Sequence, residues 1–331
     1  MQYTLSKNDF SGFVKAVMNT HDFIAPIQGD PSKRVQKTQF QPITAPEDIH
    51  IEVGNAYFPV KYYFFDKKET IFEFKGHKVI DPIIKLKDRV FFGLRRCDLT
   101  GIKHQDMVFY SNQEDPFYKT RRDASTLIGL HCKEGDDYCF CNSVTNSDFF
   151  DLMFFDKGEN YAIEVGSEKG QNFISTFHDF FKEAGEIITP ADREIKNTFK
   201  LDTTDIKKLY FDEQWEELAN KCISCGACNT LCPNCHCFTI QDEINFDLHT
   251  GKRVRTPASC QVKSFTRVAG EHIFRDTRVA RYKHRVYHQL QYFKDRHDEL
   301  FCTGCGRCIR GCPVRIDWVS HINKMNREDK P

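Results

Sequence analysis

Two stretches of this 331-residue chain repeat one arrangement of sulfur. Cys222, Cys225, Cys228 and Cys232–Pro233 form the first, and Cys302, Cys305, Cys308 and Cys312–Pro313 the second. Both read C-x2-C-x2-C-x3-C-P, a spacing by which thiolates grip a [4Fe–4S] cube. Three thiolates two residues apart wrap one face of the cube. The small residues between them, Gly226 and Ala227 or Gly304 and Gly306, let backbone N–H groups approach the sulfides. Proline fixes φ where the fourth cysteine is carried away. In two-cluster proteins that fourth cysteine serves the other cube. The expected ligand sets are therefore Cys222, Cys225, Cys228 and Cys312 for cluster A, and Cys302, Cys305, Cys308 and Cys232 for cluster B. Zinc usually takes two separated C-x2-4-C pairs, so the triple run ending in Cys-Pro is a poor zinc pattern. Two clusters bridged by shared motifs read as a conducting pair rather than as structural staples.

Seven further cysteines lie outside this pattern. Cys97 follows an expected strand at Val90 to Leu94, and Cys132 follows one at Thr126 to Leu130. If those strands are neighbours, their ends converge, and Cys139–Phe140–Cys141 can close the site from a loop. Such a foursome suits an extra cluster or a zinc ion, or it is a set of buried thiols packing as small hydrophobes. Cys235, Cys237 and Cys260 form a second set. They either ligate another cluster, with His272 or His236 as the fourth ligand, or pack around clusters A and B. The cofactor expectation is two [4Fe–4S] clusters, with room for one or two more.

No place for substrate chemistry accompanies these carriers. The chain has no G-x-G-x-x-G between a strand and a helix, no phosphate loop, no paired R-x-C-G-x-C of a nickel–iron site, no serine nucleophile motif and no H-E-x-x-H. That points to a relay whose catalytic partners are other chains, with no catalytic residue of its own. A basic run, Arg267, Arg275, Arg278, Arg281, Lys283 and Arg285, lies between the motifs. It reads either as a solvated helix face, or as a docking surface or field acting on the anionic clusters.

Composition agrees. The 15 cysteines are an odd number and lie in tight clusters, and no basic-then-apolar leader opens the chain, so metal ligation is a better reading than disulfides. Lys and Arg balance Asp and Glu at 47 each, which argues against a generally basic nucleic-acid binder. No run of about 18 apolar residues appears, so no membrane span is expected and the protein is placed in the cytoplasm. The 30 phenylalanines are read mostly as core.

These residues need two scaffolds. Phe10, Phe13, Val14, Val17 and Met18 recur at helical spacing behind a Ser6/Asp9 cap. Strands are expected at Tyr62 to Phe65, Thr70 to Phe74, Val90 to Leu94, Thr126 to Leu130, Leu152 to Phe155 and Tyr161 to Val165, with a helix from Phe173 to Ala184. This predicts an α+β or α/β N-terminal domain over 1–205, with a connector at 185–205 ending in Thr203–Thr204–Asp205. Helical patterns at Ile206 to Ala219, Val279 to Phe293 and Ile316 to Met325 predict a mainly α-helical, dicluster ferredoxin-like domain over 206–331.

The sequence resembles the iron–sulfur beta subunit of cytoplasmic sulfhydrogenases, which are multisubunit nickel–iron hydrogenases, and the related A subunit of the anaerobic sulfite reductase. The likeness rests on Lys61–Tyr62–Tyr63–Phe64–Phe65, Ile71–Phe72–Glu73–Phe74, Phe92–Gly93–Leu94–Arg95–Arg96–Cys97–Asp98 and Tyr138–Cys139–Phe140–Cys141–Asn142. It continues through Trp215, Lys221–Cys222, Cys232–Pro233–Asn234–Cys235–His236–Cys237, Ala258–Ser259–Cys260 and Ala269 to Arg275, where Glu271 stands in place of a glycine. The resemblance implies an electron-transfer subunit between a flavin- and NAD(P)-binding subunit and a hydrogenase or sulfite reductase catalytic subunit, with no membrane or nucleic acid involved. The alternatives are a redox-sensing or structural iron–sulfur protein that binds a partner or nucleic acid, and a self-contained reductase.

Overall fold

The computed structural model describes residues 2–29, 37–51, 54–84, 86–144, 147–183, 187–204 and 206–328. The expected helix end at Ala184, the connector's start at Gly185 and its stop signal at Asp205 lie outside them. Twelve strands occur among the described residues: β1 (Gln2–Ser6), β2 (Asp22–Ile27), β3 (Gln39–Pro42), β4 (Glu69–Lys75), β5 (Lys78–Ile80), β6 (Arg89–Leu94), β7 (Ser125–Leu130), β8 (Leu152–Asp156), β9 (Asn160–Val165), β10 (Lys182–Glu183), β11 (Phe238–Ile244) and β12 (Thr250–Pro257). The chain forms two compact units that interleave along the sequence. The first comprises 1–60, 86–200 and 303–306; the second comprises 61–85, 201–302 and 307–331.

The first unit is built on an eight-stranded sheet in the order β10-β1-β9-β8-β7-β6-β2-β3. β2, β6, β7 and β8 run parallel, and the flanking strands are antiparallel. The parallel strands β6 and β7 are buried along their whole length, as strands covered on both faces must be. Helix Lys7–Met18 starts at Ser6, whose side chain accepts the Asn8 N–H. It buries Phe13, Val14 and Val17 against Phe92, Phe154, Phe173, Phe177 and Phe181. The Phe13 ring meets Phe173, Phe177 and Phe181 edge-on. Each fully buried ring contributes about 1.5–3 kcal/mol, so the abundant phenylalanine makes this a dense core. Parallel pairing brings the carboxyl ends of β6 and β7 to one edge. There buried Arg95 ties them, donating to the Leu130 carbonyl at 3.0 Å and the Ile51 carbonyl at 2.8 Å.

The second unit corrects the expectation of a mainly helical C-terminal domain. Alongside helices Gln214–Lys221, Ala227–Thr230, Arg278–Tyr287, Arg307–Arg310 and Trp318–Glu328, it contains an antiparallel sheet, β11-β12-β4-β5. Two of its strands come from 69–80, far away in sequence. β11 is mostly exposed, and β12 is half-buried to buried but rich in basic residues, so its sequence carries little of the apolar alternation by which strands are recognised. Cross-strand charge pairs hold them instead. Asp242 faces Arg253, which donates to it at 2.7 and 2.8 Å, and Glu243 faces Lys252. Arg255 on β12 lies against Phe65 and Phe238 and donates to buried Glu69 on β4 at 2.8 Å. The expected strand at Tyr62 to Phe65 is instead a 3-10 turn, Val60–Tyr63, followed by two fully buried phenylalanines. Among the described residues no helix is long and apolar enough to cross a membrane.

Candidate iron–sulfur centre

Helix Gln214–Lys221 delivers the chain to Cys222, whose N–H caps it by donating to the Leu218 and Ala219 carbonyls. Trp215 anchors that helix, fully buried, with its indole N–H on the Leu209 carbonyl at 2.6 Å. The first motif then turns through Ser224 and Gly226, both at positive φ, into the short helix Ala227–Thr230. The second motif turns through Gly304 and Gly306, again at positive φ, into Arg307–Arg310. The backbone bonds repeat with the sequence. Leu231 N–H to the Ala227 carbonyl matches Gly311 to Arg307, both 2.9 Å. Cys232 to Asn229, at 3.3 Å, matches Cys312 to Ile309, at 3.1 Å. Cys235 to Cys232 matches Arg315 to Cys312. The two short helices pack against each other.

The donor chemistry of this region fits thiolate sulfur. Ser224 N–H points at the Cys222 sulfur and Ile316 N–H at the Cys312 sulfur, both at 3.4 Å, and the Trp318 indole N–H points at the Cys308 sulfur at 3.3 Å. N–H donors on ligand sulfur are a principal means of tuning such centres. Cys222, Cys228, Cys308 and Cys312 all act on buried Tyr282. Burial first, then those four groups, push its phenol well above the ordinary range. Sulfur from both motifs therefore shares one surrounding. Cys302 is set by a π turn, His288–Tyr292, expected from sequence as plain helix. The Gln289 carbonyl accepts the N–H groups of Phe301 and Cys302. Cys232 is buried beside the side chain of Asn234, whose amide donates to the Phe301 carbonyl. Cys225 is exposed next to Ile223, itself 59 % exposed. Cys305 falls in the segment that belongs to the first unit.

The basic run is not a solvated face throughout. Arg281 and Arg285 are buried. Arg281 donates to the carbonyls of Gln261, Arg275 and Asp276, and Arg285 to the Cys228 carbonyl at 3.1 Å. Burial opposes the Arg285 charge, but Cys232, Cys228, Cys235 and Cys308 outweigh it and hold the guanidinium ionised.

Cys235, Cys237 and Cys260 come together in the second unit. Hydrogen bonds from Cys237 hold the other two thiols below the ordinary range, Cys260 at about 6, and the same bonds push Cys237 upward. The Asn229 amide donates to the sulfurs of Cys235 and Cys260 at 3.4 and 3.3 Å. Buried Lys61 donates to the carbonyls of Asn229 and Cys235 at 2.7 and 3.3 Å. His236 is largely buried against His288 and Phe301. His272 is exposed, edge-on to Phe274, and among the described residues no contact joins it to the three cysteines.

Cys97, Cys132, Cys139 and Cys141 line a single pocket in the first unit. Asn55, Arg95, Arg96, Gly135 and Cys305 share its wall. Burial, followed by the field of Cys132, pushes the Cys141 thiol up to about 11, and burial with Asp136 pushes Cys139 up as well. Among the described residues no three Cys, His, Asp or Glu side chains form a site for a single metal ion. A cube spreads its ligands further apart than one ion does.

Asn55, Lys61, Asn229, Gln289 and Trp318 were not distinguished as site residues by the sequence. None is a cysteine of the motifs, and their local signal is that of ordinary turn, helix or aromatic-run residues.

Residues 221–316 match the 4Fe-4S dicluster domain family. Over 310 residues the chain is 31% identical to sulfhydrogenase 2 subunit beta of Pyrococcus furiosus, covering 89% of this chain and 91% of that protein. The chain belongs to the sulfhydrogenase beta-subunit family. A more distant likeness, 23% over 176 residues, links it to a formate dehydrogenase subunit beta of Methanocaldococcus jannaschii, covering 49% of this chain and 38% of that one. No solved structure matches the chain. This sulfhydrogenase beta-type chain is an iron–sulfur electron-transfer protein of the hydrogenase-related oxidoreductases, and its dicluster domain takes two [4Fe–4S] clusters.

Proposed function

We propose that the chain is the relay subunit of a multisubunit oxidoreductase, standing between a flavin- and NAD(P)-binding subunit and a hydrogenase or sulfite reductase catalytic subunit. The observation that carries this reading is the doubled motif, whose cysteines and backbone bonds recur together eighty residues on, from Cys232 to Cys312. Cys222, Cys225, Cys228 and Cys312 hold cluster A; Cys302, Cys305, Cys308 and Cys232 hold cluster B. When bound, each cluster takes up and releases one electron without bond making. The chain's own residues set how readily this happens. Backbone and Trp318 N–H groups stabilise charge on sulfur, Arg285 supplies a fixed positive charge, and Tyr282 and Trp215 keep water away. Exposed Cys225 and Ile223 offer a point where a partner's centre can approach. Ile240, Ile244, Phe246 and Leu248 on the β11–β12 hairpin are exposed, and apolar groups so placed suit a subunit more than a lone protein.

The other cysteines support one or two centres beyond the pair. Hydrogen bonds with Cys237, then the field of Lys61 and Arg285 at Cys235 and of Arg285 at Cys260, favour ionised sulfur at those two positions, as metal ligation requires. His272, exposed in this structure, is the fourth ligand suggested by sequence, with His236 as the alternative.

The test is anaerobic isolation with iron, sulfide and zinc analysis, followed by paramagnetic resonance of the reduced protein and rapid mixing with a reduced flavoprotein. About eight or more irons per chain, interacting signals on reduction and fast electron exchange are expected. Zinc at the motifs, or clusters that keep one oxidation state, overturns the proposal.

A further inference from the structure

We infer that Cys97, Cys132, Cys139 and Cys141 hold a third [4Fe–4S] cluster, and that the loop carrying Cys305 forms a junction with its cysteine loop, 135–141, within the first unit. The inference rests on the relay reading for the role of Cys305, but the site is argued from the first unit alone.

The pocket is assembled by the fold and not by a local motif. β6 and β7 are adjacent and parallel, so Cys97, three residues after one, and Cys132, two after the other, come to the same sheet edge. The loop 135–141 supplies the other two sulfurs. A Cβ on Gly135 would stand 2.9 Å from that of Cys139, so the loop folds this way only with glycine there. Cys97, Cys139 and Cys141 are buried and Cys132 is intermediate. Four thiols around one pocket, in a wall that also carries Arg95 and Arg96, have the ligand number and the positive charge that an anionic cube requires.

The junction is equally specific. Gly304 lies so close to the cysteine loop that a Cβ there would stand 2.5 Å from the Cys141 Cα, and one on Gly306 would stand 2.4 Å from the Tyr138 carbonyl oxygen. Phe140 N–H donates to the Gly304 carbonyl at 2.8 Å. Buried Asn55 spans both loops: its amide donates to the Cys305 carbonyl at 2.9 Å and lies 3.8 Å from the Cys139 sulfur. A ligand of cluster B and a ligand of the new centre are thus held by one side chain. The same two glycines also satisfy the need for compact residues within the second motif, so the spacing of that motif conceals their packing role.

The test compares the wild-type chain with Cys132→Ala, the least buried of the four, and with Asn55→Ala, all isolated anaerobically. Cys132→Ala is expected to lose about four irons per chain or to convert the centre to a three-iron form with its own resonance, while the reduced signals of clusters A and B persist. Asn55→Ala is expected to keep its iron, to shift one reduction potential and to weaken the spin coupling. Unchanged iron in Cys132→Ala, or zinc released from the wild-type protein in proportion to these cysteines, overturns the inference. Should Cys132→Ala fail to fold, unchanged potentials and coupling in iron-replete Asn55→Ala overturn it. Loss of the A and B signals from the wild-type protein would instead count against the relay reading itself.

Discussion

Replacing Arg285 by methionine should lower the reduction potential of the dicluster domain while leaving its iron in place. The guanidinium is buried and donates to the Cys228 carbonyl at 3.1 Å, with Cys232, Cys235 and Cys308 in its field. Reduction adds negative charge beside this cation, so the cation favours the reduced state. Taking a separation on the order of 8 Å and an effective dielectric of about 20, a unit charge contributes about 332/(20 × 8), or about 2 kcal/mol. For a one-electron couple that is about 90 mV. Anaerobic redox titration followed by low-temperature paramagnetic resonance measures it, with iron analysis on the same samples. Arg285→Lys keeps the charge and should move much less. An iron-replete Arg285→Met protein within about 20 mV of wild type would refute the electrostatic account, leaving Arg285 as a packing residue.

Trp215→Ala should destabilise the second unit by about 3–5 kcal/mol in denaturant melts, because a fully buried indole and its bond to Leu209 are lost together. Glu69→Ala should cost about 3–5 kcal/mol by leaving Arg255 charged and buried without its carboxylate, and circular dichroism should show the loss as strand signal. Burial lowers His284 to about 4 and His288 to about 3, so the unfolded chain binds protons between pH 6.5 and about 4 that the folded one refuses. Stability should therefore be intact above pH 6.5 and fall as pH drops through that window, and anaerobic melts of a His284→Phe, His288→Phe variant should show a flatter slope.

Chemistry with a local signature was open to reading from the residues. The cysteine spacing and the Cys-Pro turn are contained within twelve residues of chain, and the capped helix at Lys7–Met18 and the β-branched and aromatic run at Arg89–Leu94 carry their own period. What escaped depends on partners far away in sequence. β12 is a strand because β4, more than a hundred residues earlier, lies beside it, and its stabilising contacts are charge pairs that leave no apolar alternation. The π turn at His288–Tyr292 is invisible in side-chain pattern because its consequence is a backbone carbonyl offered to Cys302. Lys61 stands just ahead of the strand expected at Tyr62 to Phe65, and only the fold shows its ammonium among the carbonyls of Asn229 and Cys235. Asn229 and Asn55 follow the same logic: an amide is unremarkable in sequence until a sulfur is found at the end of it.

The cations of the second unit tie folding to metal. Lys61 and Arg285 are each more than nine-tenths buried, and neither has a carboxylate among its named partners; they bond backbone carbonyls and sit in the field of cysteines. Burial, joined by the field of Arg285, lowers the Lys61 ammonium, and Cys235, Cys232 and Cys237 oppose that shift. Buried charge of this kind is costly unless fixed anions answer it. A cube held by four thiolates carries about two net negative charges, which supplies the answer in the same place. The chain's overall neutrality follows from a surface of paired Lys, Arg, Asp and Glu and says nothing about this inner balance. The balance closes only with thiolate and iron together, so the folded second unit and its loaded clusters are one thermodynamic state.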